Sequence, residues 1–223
     1  EVARSLTAIG KSSSAVAGDA RALAQILSPP PFGRSWEGWA KLSFDAGTQA
    51  NGEVKAYTIV GPFQDVGGGL ARQEGPEAEG ESFADENADY SWGDFEVRPR
   101  RVVPAWVQAS GVPLDLYVHP RTESCSYLLS KVSFKDSTKS VVMRVAATGM
   151  VRVMWDGETV AYSEDVNPRA VLDRLAVQIE LDPGPHLLGV KVCSSPLPDD
   201  GRVRVRFTDE NGADLSVDAS SDL

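Results

Sequence analysis

At 223 residues, with 42% apolar and 24% charged side chains, the chain has the composition of a folded globular protein and is long enough to bury a core of its own. Its 22 Lys and Arg against 32 Asp and Glu leave a net charge of −10, a field that repels phosphate backbones and anionic membrane surfaces, so nucleic acid and lipid headgroups are poor partners. No apolar run reaches the roughly 18 residues that a membrane helix needs, so no membrane insertion is expected.

In chain order, Ser14 to Leu27 places Val16, Ala20, Leu23, Ala24 and Leu27 near helical spacing, and Pro29, Pro30 and Pro31 end that run because proline donates no amide. Residues 1–31 therefore read as one short N-terminal helix and a Pro-rich linker, either resting on the main domain or closing an upstream helical repeat. Ser35 to Phe44 carries Trp36 and Trp39. Lys55 to Val60 reads as a strand running into Gly61-Pro62-Phe63, with Ile59, Val60 and Phe63 in the core. Gln64 to Leu70 is glycine-rich, yet it lacks both the GxxxxGK[ST] and the GxGxxG spacing, so it reads as a flexible surface excursion and not a phosphate cradle. Between Glu74 and Asp94 the carboxylates are dense, but their spacing is not that of a calcium loop, and a solvated acidic loop is the expectation.

Trp92 to Val97 and Val102 to Val107 read as edge strands, with Pro99 and Pro104 where a central ladder could not accept them. Arg98, Arg100 and Arg101 form a basic patch best explained by a solvated loop or by salt-bridge partners. Leu114 to Val118 and Ser126 to Phe134 are further alternating runs. The strongest signal is Lys139 to Tyr162. Val141, Met143 and Val145, then Val151, Val153 and Trp155, repeat with the strand period around Thr148-Gly149, and Asp156-Gly157 suits a type I′ turn. The expectation there is a central hairpin followed by a tight turn and a short strand. Arg174 to Leu181, His186 to Val192 and Arg202 to Phe207 complete the set, the last with Val203, Val205 and Phe207 inward and Arg202, Arg204 and Arg206 outward. Together these runs describe an all-β protein, an antiparallel β-sandwich of the jelly-roll type over residues 32–212, followed by a C-terminal linker over 213–223. Opening at Glu1 and closing on a Ser- and Asp-rich tail, the chain reads as a piece of a longer polypeptide.

The succession SYLLSKVSF, VVMRVAATG, MVRVMWDGETV, AVQIELDPG, HLLGVKV and RVRVRF resembles the galactose-binding-like and PA14-like β-sandwich modules that serve as accessory domains of secreted bacterial proteins. That resemblance implies a carbohydrate or a partner protein as ligand and an extracytoplasmic location: periplasmic, cell-surface or secreted. It does not carry over a calcium-dependent sugar site. PA14 lectins place paired aspartates in the turn before the hydrophobic strand, whereas this turn reads Ala146-Ala147-Thr148-Gly149.

Few residues are suited to catalysis. A triad would need His119 or His186, and neither belongs to a GxSxG or HExxH pattern, so a hydrolase using one of them stands as a rival reading. Cys125 and Cys193 show no CxxC spacing, which argues against a zinc or redox centre; they are either a disulfide between strand ends or two small buried residues. No cofactor or metal is implied. A sugar site needs an exposed aromatic face rimmed by polar groups. Trp155 is in phase with Val151 and Val153 and belongs to the core, which leaves Tyr90, Trp92 and Trp106 as candidates, with Trp92 foremost. The expected role is that of a non-catalytic recognition module in a larger exported bacterial protein, with a structural spacer beside helical repeats as the alternative.

Overall fold

The computed structural model describes residues 52–65, 68–78, 88–107, 111–135, 138–170 and 173–223. The expected N-terminal helix, Trp36, Trp39 and residues 79–87 of the acidic stretch lie outside these residues. The strands are β1 (Thr58–Gln64), β2 (Tyr90–Trp92), β3 (Phe95–Val97), β4 (Arg100–Arg101), β5 (Val112–Pro113), β6 (Ser124–Ser133), β7 (Ser140–Ala147), β8 (Gly149–Trp155), β9 (Glu158–Asn167), β10 (Leu175–Glu180), β11 (His186–Ser194), β12 (Arg202–Thr208) and β13 (Asp218–Ser220). The larger sheet runs β4-β1-β6-β11-β8-β9, with β13 on β6; the smaller runs β10-β7-β12-β5; β2 and β3 form a separate hairpin. All pairings are antiparallel.

The two sheets meet face to face because alternate residues in each are aliphatic. Val141, Met143 and Val145 of β7 and Val203, Val205 and Phe207 of β12 pack against Leu128 of β6, Val151 and Val153 of β8, and Val190 and Val192 of β11, all buried. Trp155 belongs to this core, edge-on to Phe207 with ring centroids 5.8 Å apart.

Several expectations are corrected. The β7 and β8 segments are not a hairpin: β7 pairs with β10 and β12, β8 with β11 and β9, so Thr148-Gly149 carries the chain from one sheet to the other. Gly149 makes that corner with φ +67°, where a Cβ would run into the Cys193 carbonyl. The Asp156-Gly157 turn does form the hairpin that its residues suit, with φ +51° and +87°, but the strand after it, β9, has ten residues and is not short. Val102 to Val107 and Leu114 to Val118 are not strands beyond β4 and β5: each contains a 3-10 turn, at Pro104–Trp106 and Leu114–Leu116. The Pro104 nitrogen has no hydrogen to give a ladder, and the Leu114 N–H goes instead to the Gly201 carbonyl at 2.8 Å. The first strand also starts later than expected and runs through Pro62 to Gln64, its register shifting between Val60 and Phe63 so that the proline falls in a bulge.

Residues 68–78 are not a surface excursion. Leu70 and Pro76 are buried, and this segment, with the β2–β3 hairpin, covers the outer face of the larger sheet. That cover explains why β6 and β11 are buried on both faces, including residues the alternation would send to water.

Candidate functional site

The outer face of the larger sheet is built from three cross-strand rows. Register places Met150, Cys193 and Cys125 in one row, Arg152, Lys191 and Tyr127 in the next, and Met154, Gly189 and Leu129 in the third. In the first row Cys125 and Cys193 are joined by a disulfide beneath Leu70. Asp65 lies beside them, with both sulfurs and a carboxylate oxygen within 4.8 Å of one another. This is the sole cluster of such ligand types among the described residues, and the disulfide leaves no thiolate to hold a metal.

The second row carries a buried ionic network. Glu77, in the 3-10 turn Gly75–Glu77, accepts from the Tyr127 hydroxyl at 2.6 Å, from Lys191 Nζ at 3.2 Å and from the Arg152 guanidinium. Lys191 Nζ also donates to the Arg72 carbonyl at 2.5 Å and lies 5.1 Å from the centre of the Tyr127 ring. The Lys191 side chain is fully buried, and Glu77 is 8% exposed. Burial pulls the Lys191 ammonium below its usual range against the opposing pull of Glu77. Burial, and then the hydrogen bond to Glu77, push the Tyr127 phenol well above its own. Arg72 and Glu77 are thereby tied down from beneath.

Above this floor opens a cleft of about 490 Å³ between residues 73–78 and the β2–β3 hairpin. One wall is Gln73, Glu74, Gly75 and Ala78; the other is Asp89, Ser91, Trp92 and Gly93; Phe63, Gln64 and Tyr90 complete the lining. Gly75, with φ +55°, lets its turn settle directly on the Phe63 ring, where a Cβ would collide. Phe63 in turn meets Tyr90 at 6.0 Å and Tyr127 at 5.6 Å, both edge-on. The hairpin holds Trp92 beside Phe95, ring centroids 5.9 Å apart, and Arg98 braces it through Asp89 at 2.8 Å and Glu96 at 2.6 Å. A half-buried indole face, two primary amides, a hydroxyl and two carboxylates thus converge on one space. Such a set can stack on a ring's C–H face and hydrogen-bond to hydroxyls at its rim.

The sequence candidates separate. Trp92 and Tyr90 both line the cleft, the first half-buried and the second buried. Trp106 lies apart, in a hollow with Pro113, Asp115, Leu116 and Arg202. His119 is exposed, and His186 is buried elsewhere, its Nδ1 2.7 Å from Asp156 Oδ2, its Nε2 2.9 Å from the Asp182 carbonyl, and its ring stacked on Trp155. No histidine or cysteine lines the Trp92 cleft. The arginine patch is taken up by partners, Arg98 as above, Arg100 by the Tyr117 carbonyl and Arg101 by Asp222. In the Ala146 to Gly149 corner, Arg174 donates to the carbonyls of Ala147 at 3.4 Å and Gly149 at 2.6 Å. Sequence reasoning missed Gln64, Gln73, Glu74 and Asp89, which become neighbours only when residues 68–78 fold back over the sheet.

No family model matches the chain, and no curated protein matches it. A PA14 sugar-binding domain is among the solved structures that resemble its fold. That domain, from an RTX adhesin, is 15% identical with a TM-score of 0.37, over 74% of this chain and 96% of the domain. A GH31 α-xylosidase from Xanthomonas citri is 14% identical with a TM-score of 0.38, over 78% of this chain and 18% of the enzyme. A β-glucosidase from Kluyveromyces marxianus is 12% identical with a TM-score of 0.36, over 67% and 16%. The chain thus spans less than a fifth of the length of either enzyme.

Proposed function

We propose that the chain is a non-catalytic recognition module of a larger exported bacterial protein and that it binds carbohydrate in the Trp92 cleft. The observation that carries this reading is the pairing of a half-buried Trp92 with Gln64, Gln73, Glu74, Asp89 and Ser91 in one cleft of about 490 Å³. Its size falls within the range of small-ligand sites, and its chemistry, an aromatic face ringed by donors and acceptors, matches a pyranose better than an apolar ligand. A binding role is favoured over a hydrolytic one by the histidines, since His186 has both ring nitrogens engaged and neither histidine lines the cleft. The disulfide supports an oxidising, extracytoplasmic setting.

The test is a glycan array probed with the chain and with Trp92→Ala, followed by calorimetry on the hits. The expected result is binding that falls about tenfold or more in Trp92→Ala, the loss of a stacking contact worth roughly 1.5 kcal/mol, while the unfolding midpoint stays near that of the parent. Equal binding by the parent and by a folded Trp92→Ala would remove the cleft from consideration, and no glycan binding at all would favour a structural spacer.

A further inference from the structure

The second exposed tryptophan lies in a different chemical setting. Trp106 is 49% and Leu116 55% exposed, and with Pro113, Asp115 and Arg202 they line a hollow of about 270 Å³, room for one sugar ring rather than a chain of them. Arg202 opens β12, and its backbone is fixed by the register with Pro113 and by its N–H donating to Thr148 Oγ1 at 3.1 Å. Among the described residues its guanidinium has no hydrogen-bond or ion-pair partner. That sets it apart from Arg98, Arg121, Arg152 and Arg206, each of which is paired with carboxylates.

An unpaired guanidinium on a chain of net charge −10, set beside an exposed indole, has a definite preference. Its planar donors suit a carboxylate held by two parallel hydrogen bonds, and the adjacent indole suits the flat C–H face of a ring. Asp115 does not cancel it, because Asp115 Oδ1 is taken by Arg121 Nε at 2.5 Å, and Arg121 is held in turn by Asp199. The remaining Asp115 oxygen is available to a hydroxyl, its side chain being 61% exposed.

We propose that the Trp106–Arg202 hollow is a second glycan-contact site, separate from the Trp92 cleft, that takes a carboxylate-bearing sugar of the uronic acid class. The indole carries the ring, Arg202 takes the carboxylate, and Asp115 accepts from a ring hydroxyl. This site stands independently of the Trp92 reading, since the two share no lining residue.

The test is NMR titration of the indole N–H resonances of the ¹⁵N-labelled chain, the Trp106 signal being assigned through Trp106→Phe. The probes are oligogalacturonate, its methyl ester, and an acidic peptide of equal charge. Oligogalacturonate is expected to move the Trp106 signal, with affinity about tenfold lower for the methyl ester and for Arg202→Gln, the worth of roughly 1.4 kcal/mol. Rising salt should weaken it, and Trp92→Ala should leave it unchanged. Arg202→Gln removes no side-chain hydrogen bond or ion pair among the described residues, so its unfolding midpoint is expected to stay near that of the parent. An unmoved Trp106 signal, equal binding of the methyl ester, a shift that survives in Arg202→Gln, or an Arg202-dependent response to the peptide without one to the sugar would each overturn the proposal.

Discussion

Replacing Glu77 by glutamine tests the buried network beneath the cleft. Glu77 is 8% exposed, Lys191 is fully buried and Arg152 is 15% exposed, so the substitution removes the carboxylate hydrogen-bonded to both cations. Glutamine keeps an oxygen for the Tyr127 hydroxyl, and the loss is therefore mainly that of charge balance. Stripping one partner from a buried ion pair costs about 3–5 kcal/mol. At roughly 2–4 °C per kcal/mol for a chain of this size, the midpoint should fall by roughly 6–20 °C. Thermal and urea unfolding followed by circular dichroism would measure it. Adding Lys191→Met should restore part of the loss, because one of the two stranded cations is gone, and the double variant should fall short of the summed single effects by about 0.5–3 kcal/mol. The loss should also persist in high salt, which screens buried pairs little. A Glu77→Gln protein within about 1 kcal/mol of the parent, or strictly additive singles, would refute the view that this carboxylate holds the cover onto the sheet.

Two more consequences concern stability. The Glu53 carboxyl is pushed from 4.5 up to about 7, chiefly by burial, with Arg204 pulling the other way, and its Oε1 has no hydrogen-bond partner among the described residues. A raised carboxyl binds its proton more tightly in the folded chain, so its contribution is full below pH 4.5 and is lost as pH rises through 7. Glu53→Gln should match the parent near pH 4.5 and exceed it at pH 8 by a few kcal/mol, of order 3, in urea titrations at both values; equal stability at both would count against a buried neutral acid. Cys125 and Cys193 close a loop spanning 68 positions, so Cys125→Ala/Cys193→Ala should cost about 4 kcal/mol, and a double variant as stable as the parent would deny the crosslink any part in the fold.

Period-two alternation was enough to place β7, β8, β11 and β12 and to assign their inner residues, because which face a side chain takes depends only on parity. Parity carries no record of which strand lies alongside, and for that reason the β7–β8 corner reads like a hairpin although its arms lie in different sheets. Nor does it reveal what covers the outward face. Lys191 and Arg152 fall between valines where water is the natural expectation, and only the fold-back of residues 68–78 buries them. Of the site, Trp92 was legible as an aromatic in a loop. Its polar neighbours were not, since Gln64 and Gln73 come from a segment whose glycines suggested freedom, whereas Gly75 is needed for contact with Phe63.

Because most neighbours in sequence outside the β2–β3 and β8–β9 hairpins lie in different sheets, neither layer can close early. Strand β7 finds its partners only in β10 and β12, and β6, paired on one edge with the earlier β1, waits for β11 on the other, so a nascent chain must extend to about Thr208 before the halves can zip together. Until then, several valine-rich edges stand unpaired, the exposure to aggregation that non-local strand pairing brings.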